Sequence, residues 1–269
     1  MPWPVMPFGF LGASTNRNFI IYGRLPPETI EVLVVGGGGN SSGHGGAGGG
    51  GVQAFVSIQT NMTGTPTPTF ICPAIVGGRG AASSFTINES TYTATGGSGG
   101  GNNGGAQGSP NGYGGGSATN RPSFGIVSGG GGGGFSAGGQ TAFISSYNWF
   151  GGYVGRTCDW GGLGGSGYLL DGNAAAILGV SYVGSGGGGC STGGACPNSA
   201  PGLYGGGSGN GGNATMYGCG GGGCGGLGQP GIVVVRYLGP QAAPGGNVYY
   251  SSGDQKTYHV FTASGTLEL

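Results

Sequence analysis

The sequence predicts an all-β protein, in which an antiparallel β frame surrounds a glycine-rich core of packed polyglycine II helices and loops. Glycine supplies 77 of the 269 residues and recurs in blocks through the middle of the chain. Hydrophobic, β-branched runs lie towards both ends, as expected of strands. No stretch shows convincing helical periodicity, and each interior glycine costs a helix up to about 1 kcal/mol relative to alanine. We therefore expect essentially no α-helix.

The predicted strands form two groups that frame the glycine-rich middle. The first group covers residues 19–23 (FIIYG), 30–35 (IEVLVV), 52–60 (VQAFVSIQT) and 84–95 (SFTINESTYTAT). The second covers residues 231–238 (GIVVVRYL), 247–250 (NVYY), 258–264 (YHVFTAS) and 266–269 (TLEL). Residues 173–180 (NAAAILGV) are compatible with a single helical turn, but glycine flanks them.

Between these groups, the glycine blocks occupy residues 43–51, 96–105, 112–116, 129–134, 161–165, 185–189, 205–212 and 218–228. A strict Gly-X-Y period is absent, which excludes collagen. An extended helix of three residues per turn has no internal hydrogen bonds, so its buried backbone groups must pair with neighbouring segments. We predict a bundle of such helices in residues 19–239. An N-terminal docking arm (1–18) precedes it, and C-terminal strands (240–269) complete the sheet or pair with a neighbour.

Charge excludes several classes of function. Charged residues make up 5% of the chain and the net charge is zero, so no basic stripe exists for nucleic acid. No run approaches the ~20 apolar residues that span a bilayer, so membrane insertion is not expected. The N-terminal arm is broken by Pro2, Pro4 and Pro7 and lacks a basic region, which makes it a poor signal peptide.

The stretch VLVVGGGG resembles the start of a nucleotide-binding loop, but the fingerprint fails. Gly36 and Gly38 are followed by Ser41 where the third glycine should lie, and no helix is predicted next. The phosphate-loop motif is impossible because Gln255 precedes the only lysine, Lys256. We therefore expect no cofactor.

Catalytic groups are sparse. The seven acidic residues are scattered singly, and His44 and His259 are the only histidines. Acid–base catalysis requires such groups to be held together, so we do not expect an enzyme, although acids that are distant in sequence can still pair in space.

Six cysteines are present, and four of them form a local group: Cys190, Cys196, Cys219 and Cys224. We expect these to be buried thiols or disulfides that tie glycine loops together. Zinc is the alternative, but five residues separate Cys190 from Cys196, whereas zinc ligand pairs are usually two to four apart. No metal site is predicted.

Aromatic residues cluster in polar loops, at Tyr147, Trp149, Phe150, Tyr153, Trp160 and Tyr168. Tyrosine and tryptophan set among Ser, Gly and Asn is the composition of evolved binding loops. The alternative is that these rings form a local core beneath the glycine bundle.

Two motifs delimit the glycine-rich region: EVLVVGGGG (31–39) and GIVVVRYLG (231–239). Between them lie AIVGGRGAASSFTI (74–87) and ATGGSGGG (94–101), and YHVFTASGTLEL (258–269) follows. With these motifs, the chain resembles the glycine-rich domain of bacteriophage tail fibre and other virion proteins. The nearest physical model is the polyglycine II sandwich of adhesins at the tips of T-even phage fibres. The motif at 258–269 usually precedes the opening strand in that family, so here we expect it to pair beside the opening sheet or with another copy.

The resemblance implies a virion structural protein, assembled in the host cytoplasm and exposed on the particle as a tail fibre or tail-tip component. Its aromatic loops would contact a host surface glycan or outer-membrane protein. Trp3, Phe8 and Phe10 would dock the arm onto a fibre, baseplate or capsid protein, and a homotrimer is one expected assembly. The alternatives are a capsid decoration (cement) protein and a secreted glycine-rich wall or matrix protein.

Overall fold

The computed structural model describes residues 27–60, 70–121, 126–145, 158–191 and 202–269. Two antiparallel sheets dominate it. The larger sheet has the order β13-β14-β12-β1-β2 and contains β1 (Thr29–Val35), β2 (Val52–Gln59), β12 (Ile232–Leu238), β13 (Asn247–Ser251) and β14 (Lys256–Phe261). The smaller sheet has the order β15-β3-β4-β5 and contains β3 (Ile71–Ile75), β4 (Ser83–Ile87), β5 (Ser90–Ala94) and β15 (Gly265–Glu268). The all-β prediction is confirmed.

Three two-stranded pairs and one helix complete the secondary structure. The pairs are β6 (Thr119–Arg121) with β7 (Ile126–Ser128), β8 (Phe143–Ser145) with β9 (Cys158–Trp160), and β10 (Tyr168–Leu169) with β11 (Tyr182–Val183). The helix α1 spans Gly172–Leu178, two turns where the sequence suggested one at most. The Asp171 side chain accepts a hydrogen bond from the Ala174 amide at its start, and Gly179 adopts φ 67° at its end. The flanking glycines therefore lie in the first turn and the C-cap, where they do not break the helix.

The larger sheet is covered on both faces, which explains the continuous hydrophobic runs of its central strands. On one face, Val32 and Val34 pack with Val233 and Val235 against Phe85 and other residues of the smaller sheet. On the other face, Leu33 and Val234 pack with Leu170 and Ala174 of the helical segment. Alternate residues of β1 enter different cores, so neither face shows the polar alternation of a half-exposed strand.

The strand predicted at 84–95 is a hairpin. Asn88 and Glu89 adopt φ values of 49° and 61°, which turn the chain between β4 and β5. Two consecutive left-handed residues make the tight connection that suits antiparallel strands. The motif at 258–269 also divides: β14 pairs with β12 in the opening sheet, and β15 pairs with β3. The strand predicted at 19–23 lies outside the described residues.

The backbone hydrogen bonds between glycine segments repeat every three residues along the chain, because each segment bonds to three neighbours in turn. Each successive amide along residues 45–51 donates to a different neighbour, at N···O distances between 2.5 and 3.0 Å. The acceptors are Gly101, Ser98 and Thr95 in one segment, Gly130 and Gly133 in a second, and Gly221 and Gly218 in a third. Residues 36–39, 129–134, 186–190 and 220–224 follow the same rotation of partners. This is the hydrogen bonding of packed polyglycine II helices, and we call these five segments the glycine array.

Glycine is required at most positions of the array because the third neighbour lies against the α-carbon. A Cβ built on Gly46 would lie 2.0 Å from the carbonyl oxygen of Gly187, and one on Gly187 would lie 2.0 Å from that of Gly221. The amides of Gly36–Gly39 likewise donate to protein carbonyls, so they are not presented to a phosphate.

Candidate surface recognition site

An aromatic cleft opens at the edge of the glycine array, beside the β10–β11 pair. Phe135, Tyr168, Leu169, Tyr182 and Tyr204 line it together with Ser136 and Ser166, and its volume is about 350 Å³. Strand pairing places Tyr168 opposite Val183 and Leu169 opposite Tyr182. Tyr204 comes from a separate segment, directly before the glycine block at 205–212.

The rings form two pairs in the cleft. Tyr182 stacks on Tyr204 with centroids 4.1 Å apart and planes inclined by 24°. Phe135 meets Tyr168 edge-on at 5.1 Å and 77°. Leu169 is 58% exposed and Tyr204 is 45% exposed. One ring of the stacked pair, Tyr204, and the apolar side chain of Leu169 therefore face solvent.

Hydrogen bonds to the backbone fix the walls of the cleft. The Ser185 hydroxyl, buried in the array, donates to the Tyr204 carbonyl at 2.8 Å, and Tyr204 itself adopts φ 47°. The Ser136 hydroxyl donates to the Gly167 carbonyl at 3.3 Å. Burial, with a further contribution from Asp171, raises the pKa of Tyr168, so its phenol is neutral near pH 7. The cleft thus offers flat aromatic surface and neutral hydroxyls, the chemistry that suits a sugar or another uncharged polar ligand.

Of the predicted contact residues, Tyr168 lies in the cleft and Trp160 ends β9. Tyr147, Trp149, Phe150 and Tyr153 lie outside the described residues, as do Trp3, Phe8 and Phe10 of the arm. Sequence reasoning missed Phe135, Tyr182 and Tyr204. Each of them stands singly beside glycine or serine, and that weaker signal alone could have identified them.

The described cysteines of the predicted local group take both of the expected forms, a disulfide and a buried thiol. Cys190 and Cys224 form a disulfide that joins two segments of the glycine array, with Cα atoms 6.1 Å apart. Cys219 is a free buried thiol, the other form that the sequence predicts for this group, and the Ser185 amide donates to its sulfur at 3.3 Å. Burial raises the pKa of the Cys219 thiol, and that of free Cys72 to about 11. Cys196 lies outside the described residues. His44 lies against the disulfide, so these three residues are the candidate metal ligands of the described chain.

Charged residues that are distant in sequence meet around Arg236. Its guanidinium donates to Glu31 at 2.5 Å and to Asp171, and lies 3.6 Å from the centre of the Phe55 ring. Lys256 also donates to Glu31, at 2.9 Å. Burial alone would raise the pKa of Glu31, but the bonds from Lys256 and Arg236 outweigh it and lower that pKa below its usual value. Every one of these charges has a partner, so the cluster ties α1 to the larger sheet.

Comparison of the chain with protein-family models, with curated proteins and with solved structures finds no match. Within the described residues, no helix has the length and apolar character needed to cross a bilayer.

Proposed function

We propose that the protein is a bacteriophage virion structural protein, a tail fibre or tail-tip component that presents a rigid surface to a host glycan. The two motifs that carry the resemblance support this, because they are direct partners: β1 and β12 pair in register from Glu31 with Arg236 to Val35 with Ile232. The glycine-rich region therefore begins and ends on adjacent strands of the larger sheet.

The observation that carries the proposal is the exposed aromatic cleft at the edge of the array. The exposed Tyr204 ring, already stacked on half-buried Tyr182, offers a flat apolar platform for the C–H face of a sugar, and neighbouring serines add hydrogen-bonding groups. Strand pairing of β10 with β11 and the bond from the Ser185 hydroxyl to the Tyr204 carbonyl hold the backbone of these residues, so little ordering entropy is lost on binding. A weak site of this kind gains strength when several copies on one particle act together.

Binding of fluorescently labelled protein to bacterial cells tests the recognition surface. Tyr204→Ala and Leu169→Ala should weaken binding at least about tenfold, the loss of about 1.4 kcal/mol that one aromatic or aliphatic contact supplies. Tyr250→Ala is the matched control, because Tyr250 is 56% exposed on edge strand β13, away from the cleft. Equal binding by all three variants and the wild type would refute the cleft as the contact surface.

Treatment of the cells separates the two classes of receptor. Periodate oxidation of surface glycans should abolish binding, whereas surface proteolysis should leave it unchanged. The opposite pattern would replace the glycan with an outer-membrane protein. Immunogold labelling of phage particles tests virion membership independently, and absence of label from particles would overturn the structural role.

A further inference from the structure

His44, Cys190 and Cys224 bring one imidazole and two sulfurs together across the glycine array. The Nδ1 atom of His44 lies 3.4 Å from the sulfur of Cys190 and 3.6 Å from that of Cys224. Cys190 is buried, His44 is half-buried and Cys224 is exposed. The cluster therefore sits at the surface of the array with one side open to solvent.

Backbone bonds hold these three residues together independently of the disulfide. The Cys190 amide donates to the His44 carbonyl at 2.8 Å, and the Cys224 amide donates to the Gly43 carbonyl at 2.7 Å. The Ser41 hydroxyl donates to the Gly45 carbonyl at 2.8 Å and fixes the turn that carries His44. Opening the disulfide thus leaves all three Cα atoms anchored.

We propose that the reduced protein binds one zinc ion at His44, Cys190 and Cys224. Zinc holds thiolate sulfur at about 2.3 Å and imidazole nitrogen at about 2.0–2.1 Å, so a tetrahedral site separates a sulfur from a nitrogen by about 3.6 Å. The two sulfur–nitrogen distances already match that separation. Once the disulfide opens, the two sulfurs must move apart to about 3.8 Å to bind one zinc ion. Rotation of the exposed Cys224 side chain would supply this movement. A water molecule would fill the fourth position on the open side.

The two states exchange by balanced chemistry. A dithiol reductant donates two electrons and two protons to the disulfide, which yields two cysteine thiols and the cyclic disulfide of the reductant. Zinc then binds two thiolates and neutral imidazole, and the two thiol protons leave to solvent. Transfer of two electrons from the pair of thiolates to a small-molecule disulfide, which takes up two protons from solvent and leaves as two thiols, re-forms the cysteine disulfide and releases the metal. The zinc ion would thus replace the disulfide as the cross-link between the two cysteine segments, and would also join His44 to them.

Cobalt(II) titration of the full chain, kept reduced with a phosphine, tests the site. Thiolate-to-cobalt charge-transfer absorption should appear, and zinc should displace it. His44→Ala and Cys224→Ser should each weaken cobalt affinity at least about tenfold, whereas Cys219→Ala, which alters a thiol outside the cluster, should leave affinity unchanged. Absence of the absorption, or absorption that neither cluster variant alters, would overturn the proposal.

Alkylation mapped by mass spectrometry assigns the metal to individual cysteines, and so covers the case in which a variant unfolds. In reduced wild-type protein, zinc should slow alkylation of Cys190 and Cys224 and leave that of Cys72 unchanged. Zinc protection confined to other cysteines, or equal alkylation rates with and without zinc, would overturn the site. Oxidised protein should carry no zinc at this cluster, and retained metal there would contradict the exchange.

Discussion

Replacement of Gly187 by alanine should unfold the glycine array locally at a large cost in stability. The amide of Gly187 donates to Ala47 at 2.9 Å, and its carbonyl accepts from Gly132 at 2.7 Å. The added Cβ points at the third neighbour, 2.0 Å from the Gly221 oxygen. Since ordinary contact begins at 3.4 Å, the Gly221 segment must retreat by about 1.4 Å.

That retreat breaks the bonds on either side of Gly221. The amides of Gly220 and Gly223 donate to Ser185 and Gly188, each at 2.8 Å, and a shift of this size takes both beyond the ~3.2 Å limit of a hydrogen bond. Each buried group left unpaired costs about 1–3 kcal/mol, and overpacking adds about 1–3 kcal/mol. We expect the free energy of unfolding to fall by about 3–9 kcal/mol, a large part of the usual ~5–15 kcal/mol.

Denaturant unfolding followed by circular dichroism measures this change. Gly101→Ala is the matched control, because Gly101 lies in a glycine block but a Cβ there meets nothing within 4 Å. It should be neutral or stabilising by up to about 1 kcal/mol, through the unfolded state. A Gly187→Ala protein within about 1 kcal/mol of the wild type would refute the close packing of the array.

Three further predictions concern the framing elements. Tyr237→Phe should lower the free energy of unfolding, measured with denaturant, by about 1–3 kcal/mol, because it removes the hydroxyl that lies 2.9 Å from Nε2 of fully buried His259. The control is Tyr249→Phe at an exposed position, which should change stability by less than about 0.5 kcal/mol. Burial lowers the pKa of His259 from 6.5, so its contribution to stability is complete above pH 6.5 and should fall as the pH drops below that value. The lowered pKa of Glu31 adds a second loss of stability below its ordinary value of 4.5. Thermal melts from pH 8 to 3 that show no fall in melting temperature would contradict both. Gly172→Ala should raise the melting temperature, with a gain of up to about 1 kcal/mol, because the site is open and helical; a lower melting temperature would refute the assigned helix start.

The sequence predicts the architecture well where one physical constraint dominates. Continuous hydrophobic runs at β1 and β12 indicate strands buried on both faces, and glycine blocks without a collagen period indicate laterally bonded extended helices. The hairpin at Asn88 and Glu89 is harder to predict from the sequence, because the β-branched residues on both sides of it resemble one long strand. The length of helix α1 was underestimated because flanking glycines usually indicate that no helix forms. Here Asp171 caps the start of the helix and left-handed Gly179 ends it, so these glycines are compatible with the helix.

The candidate sites were harder to predict because the packing of the glycine segments decides which residues meet in them. Tyr182 and Tyr204 stack across a sequence separation of 22, and His44 meets Cys190 across a separation of 146. No local pattern encodes which glycine segments become neighbours, since every block has nearly the same composition. Isolated aromatic, cysteine or histidine residues within glycine blocks are therefore the best available indicators, and their pairing needs the structure.

The rotation of hydrogen-bond partners gives the chain a rule for insertions and deletions. One residue added within residues 45–51 would turn all later amides by about a third of a revolution, so that each would face the wrong neighbour. Three added residues would restore the phase. Length changes inside the array should therefore be tolerated in multiples of three, whereas the connecting loops are free to vary one residue at a time. A protein built in this way can diversify its exposed loops rapidly while its interior hardly changes.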